Sequence, residues 1–176
     1  QKKCTACNLE TELEYCTFGE DSRCVYCKAL LEVKLSSTGQ IIRYDGTQKE
    51  PSVTVEANGN RVSSEHYTVE YSNNIRAGEA TVTVTGKEGY FTGSATTKFT
   101  IEKATPTLTA PTGAIQYGQK LSDSTLTGGT AKNGSLDVAG SWSWANGDTR
   151  PTADGAFPVT FTPSDTANYN IPANVN

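Results

Sequence analysis

The chain has 176 residues, a formal net charge of −4 and a pI near 5.0. This acidic balance argues against nucleic-acid binding, because that affinity comes mainly from Lys and Arg side chains that meet phosphates. No stretch approaches the ~20 apolar residues that cross a bilayer, so we expect no direct membrane insertion. Threonine, valine, glycine, serine and asparagine are abundant, which favours strands and tight turns over helices.

Residues 1–29 differ from the rest because they hold all five cysteines. Cys4-x2-Cys7 and Cys24-x2-Cys27 have the spacing of a structural zinc ribbon, in which four thiolates bind one Zn²⁺. Zinc would supply folding free energy to a segment that is acidic and poor in core residues. Disulfides are the alternative in an extracellular chain, although an odd number of cysteines leaves one unpaired. We predict a cysteine-rich head, organised either by zinc or by disulfides.

From residue 30 onwards, apolar and polar residues alternate with the period of two that is typical of half-buried strands. The clearest run is Ala80 to Thr85, where alanine and valine alternate with threonine. Asp45-Gly46 and Asn58-Gly59 are tight-turn signals between such runs. The strands predicted for this first segment lie at Leu31–Leu35, Ile42–Tyr44, Val53–Val55, Tyr67–Tyr71, Ala80–Thr85 and Thr97–Ile101.

A second segment repeats this plan. Tyr44-Asp45-Gly46 opens the first segment and Tyr117-Gly118 opens the second, and each has a tyrosine near its end, Tyr90 or Tyr169. The boundary lies near Pro106, which cannot donate a hydrogen bond to a β-ladder. The strands predicted for the second segment involve Leu108, Ile115–Tyr117, Leu136–Val138, Trp142–Trp144 and Phe157–Phe161.

We therefore predict an all-β chain with two tandem small domains, residues 30–104 and 105–176, after the cysteine-rich head of residues 1–29. Judged by the first copy, the last strand of the second copy is cut short at residue 176, so we expect the natural chain to continue. Alternation does not reveal the order in which the strands pair. The arrangement within each domain is therefore open at this point.

Several strings of the first segment occur together: Tyr44-Asp-Gly46, Tyr67-Thr-Val-Glu-Tyr-Ser-Asn-Asn74, Ala77-Gly-Glu-Ala-Thr-Val-Thr-Val-Thr-Gly86 and Gly89-Tyr-Phe-Thr-Gly93. They resemble the YDG and MBG repeat modules of bacterial surface proteins and adhesins. In the second segment, Ile115-Gln-Tyr-Gly118 and Phe161-Thr-Pro-Ser-Asp-Thr-Ala-Asn-Tyr169 resemble the related YGX-type variant. The resemblance covers residues 31–176. It implies small immunoglobulin-like or β-grasp-like domains strung in tandem.

The same resemblance implies a bacterial protein that is secreted or attached to the cell wall, and it carries over no catalytic residues. The single histidine, His66, has no nucleophile signature beside it from which a Ser-His-Asp site could be built. We therefore expect a non-enzymatic spacer or adhesive segment of a longer surface protein. Its partner would be an unknown surface ligand or glycan.

Trp142 and Trp144 lie on one face of a predicted strand. Two exposed aromatic rings could stack on sugars, which gives the alternative function of a carbohydrate-binding accessory module. The competing interpretation, which we favour, is that both rings fill the core of a domain that is otherwise short of large side chains. A third alternative is an enzyme fragment whose catalytic domain lies outside the chain, which only the full-length sequence could show.

Overall fold

The structure is a computed structural model that describes residues 2–3, 10–11, 16–17, 19, 21, 23–24, 30–36, 39–57, 59–88 and 90–176. It confirms the predicted all-β class, because its regular elements are strands with two short 3₁₀ turns, Ser64–His66 and Leu121–Asp123. Within these described ranges, no helix has the length and apolar character needed to cross a bilayer. The choice between immunoglobulin-like and β-grasp-like domains stays a prediction, as does the cysteine-rich head.

Sixteen strands of two to nine residues follow one another within the described ranges. They are β1 Lys2–Lys3, β2 Glu10–Thr11, β3 Cys16–Thr17, β4 Leu31–Leu35, β5 Ile42–Arg43, β6 Val53–Ala57, β7 Asn60–Arg61, β8 Tyr67–Ser72, β9 Gly78–Gly86, β10 Phe91–Thr92, β11 Ser94–Glu102, β12 Thr107–Thr109, β13 Thr130–Asn133, β14 Leu136–Asp137, β15 Gly140–Trp144 and β16 Val159–Pro163. Near the N-terminus, β1 pairs with β2 in antiparallel fashion and β3 pairs with β10 in parallel fashion.

The chain divides into two compact units. The first unit comprises Gln1–Ile42 and Gly46–Ile101, and the second comprises Arg43–Asp45 and Glu102–Asn176. Because Arg43–Asp45 groups with the later part of the chain, the division does not follow the sequence strictly. The predicted domain boundary between residues 104 and 105 therefore stays a prediction.

The first unit contains a long antiparallel ladder between β9 and β11. The register runs from Thr85 opposite Ser94 to Gly78 opposite Ile101, and β8 pairs along the other edge of β9. Successive side chains of a strand point to opposite faces of the sheet. Ala80, Val82 and Val84 of β9 are accordingly buried, as the alternation with threonine predicts.

A second antiparallel sheet of the first unit is formed by β4, β6 and β7. Its buried side chains pack with those of the β8–β9–β11 sheet in one apolar cluster. Each sheet has one apolar face, and burial of that face away from water is favourable. The buried members of this cluster are Cys24, Leu31, Val55, Ala57, Val62, Tyr67, Val84, Phe91 and Ala95. The first unit thus has a core shared between two sheets.

The second unit has a smaller core. β12, β13 and β14 form one antiparallel sheet, and β15 pairs with β16. Ala131, Val138 and Phe161 are buried together, and the partly buried Leu108, Trp142 and Tyr169 pack against them. Asn133-Gly134 joins β13 to β14 with a positive φ of 61° at Gly134, as the turn signal predicts.

Two strand predictions in the second unit are wrong. Ile115–Tyr117 was expected to form a strand by analogy with Ile42–Tyr44, but these described residues form a loop and a turn. Phe157 also lies outside a strand, since β16 begins at Val159. In both places the apolar residues of the local pattern line a surface groove, described below, instead of pairing in a sheet.

Tyr71 of β8 should make the free energy of unfolding of the first unit depend on pH in the alkaline range. Its phenol donates a 2.7 Å hydrogen bond to the Pro51 carbonyl oxygen. Burial raises the pKa of Tyr71 above its ordinary value of 10.0, and the Glu50 carboxylate adds to this. When the pKa of a group is higher in the folded state than in the unfolded state, the stabilisation that results is complete below the unfolded-state pKa. It is lost as pH rises through the folded-state pKa. We therefore expect the free energy of unfolding to fall above about pH 10.

Urea unfolding, followed by far-UV circular dichroism at pH values from about 8 to 11, tests this effect. Tyr71→Phe removes the phenol, so the alkaline loss of stability should become smaller than in the wild type. Tyr117→Phe is the matched control, because Tyr117 is 92% exposed and its side chain has almost no packing role in the folded chain. Equal alkaline slopes for Tyr71→Phe and the wild type would contradict the prediction.

Candidate functional site

A groove opens on the second unit between the loop of residues 113–117 and the loop of residues 151–157. We call it the Tyr117 groove. Its volume is about 510 Å³, and it is open to solvent along one side. The lining combines three aromatic rings with polar side chains, namely Tyr117, Trp144, Phe157, Gln116, Thr152 and Asp154.

A tight turn presents the Tyr117 ring to solvent. Gln119 donates its backbone N–H to the Gln116 carbonyl oxygen at 3.0 Å, and Gln116 donates its own N–H to Oε1 of Gln119 at 2.7 Å. Gly118 supplies the positive φ of 86° that this turn requires. Arg150 donates a further hydrogen bond to the Gly118 carbonyl oxygen. Tyr117 is 92% exposed. The hydrogen bonds of the turn and the bond from Arg150 hold the backbone beneath its ring in place.

Trp144 forms the inner wall of the groove. It lies at the end of β15 opposite Val159 of β16, and its ring is half-buried. The indole Nε1–H donates a 3.0 Å hydrogen bond to Oγ of Ser124, and that hydroxyl donates to the Leu121 carbonyl oxygen at 2.8 Å. These two bonds fix the orientation of the ring. One edge of the indole therefore faces the groove while its polar atom is satisfied inside the protein.

Trp142 lies two residues earlier on the same face and is likewise half-buried. Its ring centroid is 5.0 Å from that of Phe161, with the planes tilted by 53°. A Cβ atom at Gly129 would lie 2.8 Å from the Trp142 ring, so the backbone there approaches the indole closely. Trp142 is thus part of the packing around Phe161, and together with Trp144 it also lines a second surface groove beside Ser124 and Leu126. Trp144 reaches the Tyr117 groove as well.

Charged residues surround the groove but contribute little to its lining. Lys120 Nζ lies 2.6 Å from Oδ1 of Asp148 on the surface, and this hydrogen-bonded ammonium lowers the pKa of Asp148. The Leu121 N–H donates to the Thr149 carbonyl oxygen at 2.9 Å, which joins the segment after the 113–117 loop to the segment before the 151–157 loop. Among the described residues that line the groove, Asp154 is the one charged side chain.

Residues 32–105 match the family model of the MBG domain. The match is consistent with an MBG-type repeat module in this segment. The match covers less than half of the chain, and it runs from the second residue of β4 to just beyond β11, so it includes the strands of the two larger sheets of the first unit. The predicted MBG resemblance is confirmed for this segment, while the YGX resemblance of the second segment stays a prediction. Comparison with curated proteins and with solved structures gives no match.

The MBG segment holds the single histidine. His66 lies in a 3₁₀ turn before β8, and its ring stacks on Tyr90 with centroids 4.0 Å apart and planes at 15°. Tyr90 is 38% exposed, so this aromatic pair lies at the surface of the first unit. The stack gives His66 a packing contact that the sequence did not reveal, because the two residues are distant in the chain.

The cysteine predictions fall mostly on residues outside the described ranges. Of the four cysteines proposed for zinc, Cys4, Cys7 and Cys27 lie there. Cys24 is described, carries a free thiol and is 1% exposed in the core beside the MBG strands. Within the part of the chain that the structure describes, no three His, Cys, Asp or Glu side chains are grouped to hold a metal ion. The choice between zinc and disulfides stays a prediction.

The Tyr117 groove was not predicted from the sequence, because the local pattern placed Tyr117 and Phe157 in strands. The Tyr117-Gly118 pair is the signal that could have located the exposed ring, because glycine after an aromatic residue suits a turn with positive φ. No local signal connects the 113–117 loop with the 151–157 loop, since their proximity depends on the tertiary fold.

Proposed function

We propose that this chain is a non-enzymatic segment of a bacterial cell-surface or secreted protein, located outside the cell or on its wall, where it acts as a spacer or interaction module within a longer chain. The observation that carries the proposal is the MBG match over residues 32–105. Repeat modules of this length, linked end to end, suit an extended surface protein better than a compact catalytic domain.

The pairing within the first unit supports a role in bearing tension. The MBG segment begins in β4 and ends just beyond β11, and each of these strands belongs to an antiparallel ladder. Hydrogen bonds in such ladders lie perpendicular to the strands. A force along β11 therefore loads all the hydrogen bonds that Ser94–Ile101 make with β9 at the same time, instead of one after another. Exposed ion pairs such as Lys98 with Glu79, at 2.6 Å, add little because solvent screens them.

Single-molecule force spectroscopy on the chain tests the spacer role. We expect a discrete unfolding event that releases about 250 Å of contour length, because an extended chain spans about 3.3–3.6 Å per residue over the matched segment. Thr83→Pro should lower the unfolding force or abolish the event, since Thr83 lies in β9, which pairs with β8 along one edge and with β11 along the other. Thr83→Ser is the matched control and should behave as the wild type does.

Smooth extension of the wild-type chain, without an unfolding event, would refute the spacer role. The proposed location needs a separate experiment in the bacterium that produces the protein. An antibody against the chain should label intact cells or the culture medium. Labelling that requires cell lysis would contradict the extracellular assignment.

A further inference from the structure

We propose that the Tyr117 groove of the second unit binds a neutral saccharide. This inference goes beyond the spacer role and does not depend on it. Pyranose rings have apolar C–H faces and polar hydroxyl edges, so a protein that binds them offers aromatic surface next to hydrogen-bonding groups. The Tyr117 groove places Tyr117, Trp144 and Phe157 beside Thr152 and Asp154.

The exposure of Tyr117 is the strongest feature of this site. At 92% exposure, its ring has almost no packing role in the folded chain. A sugar that stacked on the ring would remove apolar surface from water, which favours binding. The hydrogen bonds of the Gln116–Gln119 turn already hold the backbone in place, so ordering this segment costs little on binding.

Trp144 and Phe157 extend the apolar surface beyond Tyr117. Trp144 cannot turn freely, because its Nε1–H is bonded to Ser124, and it therefore presents a fixed edge to a ligand. Phe157 is half-buried in the opposite loop. The groove is open along its side, so it suits part of a longer saccharide chain better than an enclosed single sugar.

The charge of the groove selects the kind of saccharide. Asp154 is exposed and can accept hydrogen bonds from sugar hydroxyls through both carboxylate oxygens. It is the one charged side chain among the described lining residues, and it would repel uronic or sialic acids. We therefore assign the groove to neutral sugars.

Titration of isotope-labelled protein, monitored by NMR, tests the assignment. The probes are tetramers of β-1,4-linked glucose, α-1,4-linked glucose and β-1,4-linked N-acetylglucosamine, with a galacturonic acid tetramer as the acidic comparison. At least one neutral tetramer should shift the Trp144 indole N–H and the backbone amides of residues 113–117 and 152–157. Tyr117→Ala should weaken this binding by about fivefold or more. Tyr90→Ala is the control, because that exposed tyrosine belongs to the first unit.

Three results would overturn the proposal: no shift with any neutral tetramer at about 10 mM, unchanged affinity in Tyr117→Ala, or tighter binding of the acidic tetramer. Because Tyr117 has almost no packing role, loss of binding in Tyr117→Ala is not explained by misfolding, and the amide spectrum of the variant checks this directly. The force experiment on Thr83 variants has a separate readout in the first unit. If no saccharide binds, the spacer proposal is therefore unaffected. If the force experiment fails, the saccharide proposal is likewise unaffected.

Discussion

Replacement of Phe161 by alanine is expected to lower the free energy of unfolding of the second unit by about 3–5 kcal/mol. Phe161 is 2% exposed and is the largest buried side chain in the cluster with Ala131 and Val138. Its removal would leave a cavity against Trp142 that the short sheets around it cannot easily fill. A domain of this size has a total stability of only about 4–12 kcal/mol. We therefore expect this one substitution to remove a large share of the free energy of unfolding of the second unit.

Urea unfolding followed by tryptophan fluorescence measures this change, because both tryptophans of the chain lie in β15 of the second unit. Leu136→Ala is the matched control. Leu136 belongs to the same unit and is 47% exposed, so its truncation should cost no more than about 0.5 kcal/mol. A loss below about 1 kcal/mol in Phe161→Ala would show that the unit does not depend on this ring.

Local pattern was sufficient to predict the longer strands of the first unit. In β9, alanine and valine alternate with threonine, and the structure buries the apolar set. This agreement is expected because a strand with one buried face has a period of two in its sequence. The Asn133-Gly134 hairpin was predictable for a similar reason, since glycine adopts positive φ without steric cost. These features depend on neighbours in the chain.

Features that depend on distant contacts were not predictable. Tyr44 was expected to open the first repeat, but Arg43–Asp45 groups with the second unit. There the Tyr44 ring contacts Tyr169 edge to face at 5.3 Å, and Asn133 donates a 3.0 Å side-chain hydrogen bond to the Tyr44 carbonyl oxygen. Neither contact can be predicted from the residues that adjoin Tyr44 in the sequence.

The same reasoning applies to the candidate site. The sequence singled out Trp142 and Trp144 as a pair, because a strand places alternate residues on one face. Their different surroundings come from the tertiary fold: Phe161 lies against Trp142, and the 113–117 and 151–157 loops lie beside Trp144. The sequence thus predicted that the two tryptophans share one face of a strand, but it did not predict their different contacts.

Gly140→Ala is the second substitution with a large expected effect, about 2–3 kcal/mol of lost stability in the second unit. A Cβ atom at Gly140 would lie 2.5 Å from the Thr162 carbonyl oxygen and 2.7 Å from Cε2 of Phe161. Both distances are below the 3.0 Å under which real Cβ contacts essentially never occur. Gly140 has no positive φ, so the cost comes from steric overlap and not from backbone strain.

Tryptophan fluorescence during urea unfolding again gives the measurement, and Gly155→Ala is the control. A Cβ atom at Gly155 would lie 3.7 Å from the Phe157 ring, an ordinary contact, so this variant should stay within about 0.5 kcal/mol of the wild type. If overlap with the Phe161 ring is the cause, Gly140→Ala should cost less in a Phe161→Leu background, with a coupling of about 1 kcal/mol or more. Additive effects of the two substitutions would instead attribute the whole cost to the Thr162 carbonyl, because that backbone atom is present in both backgrounds.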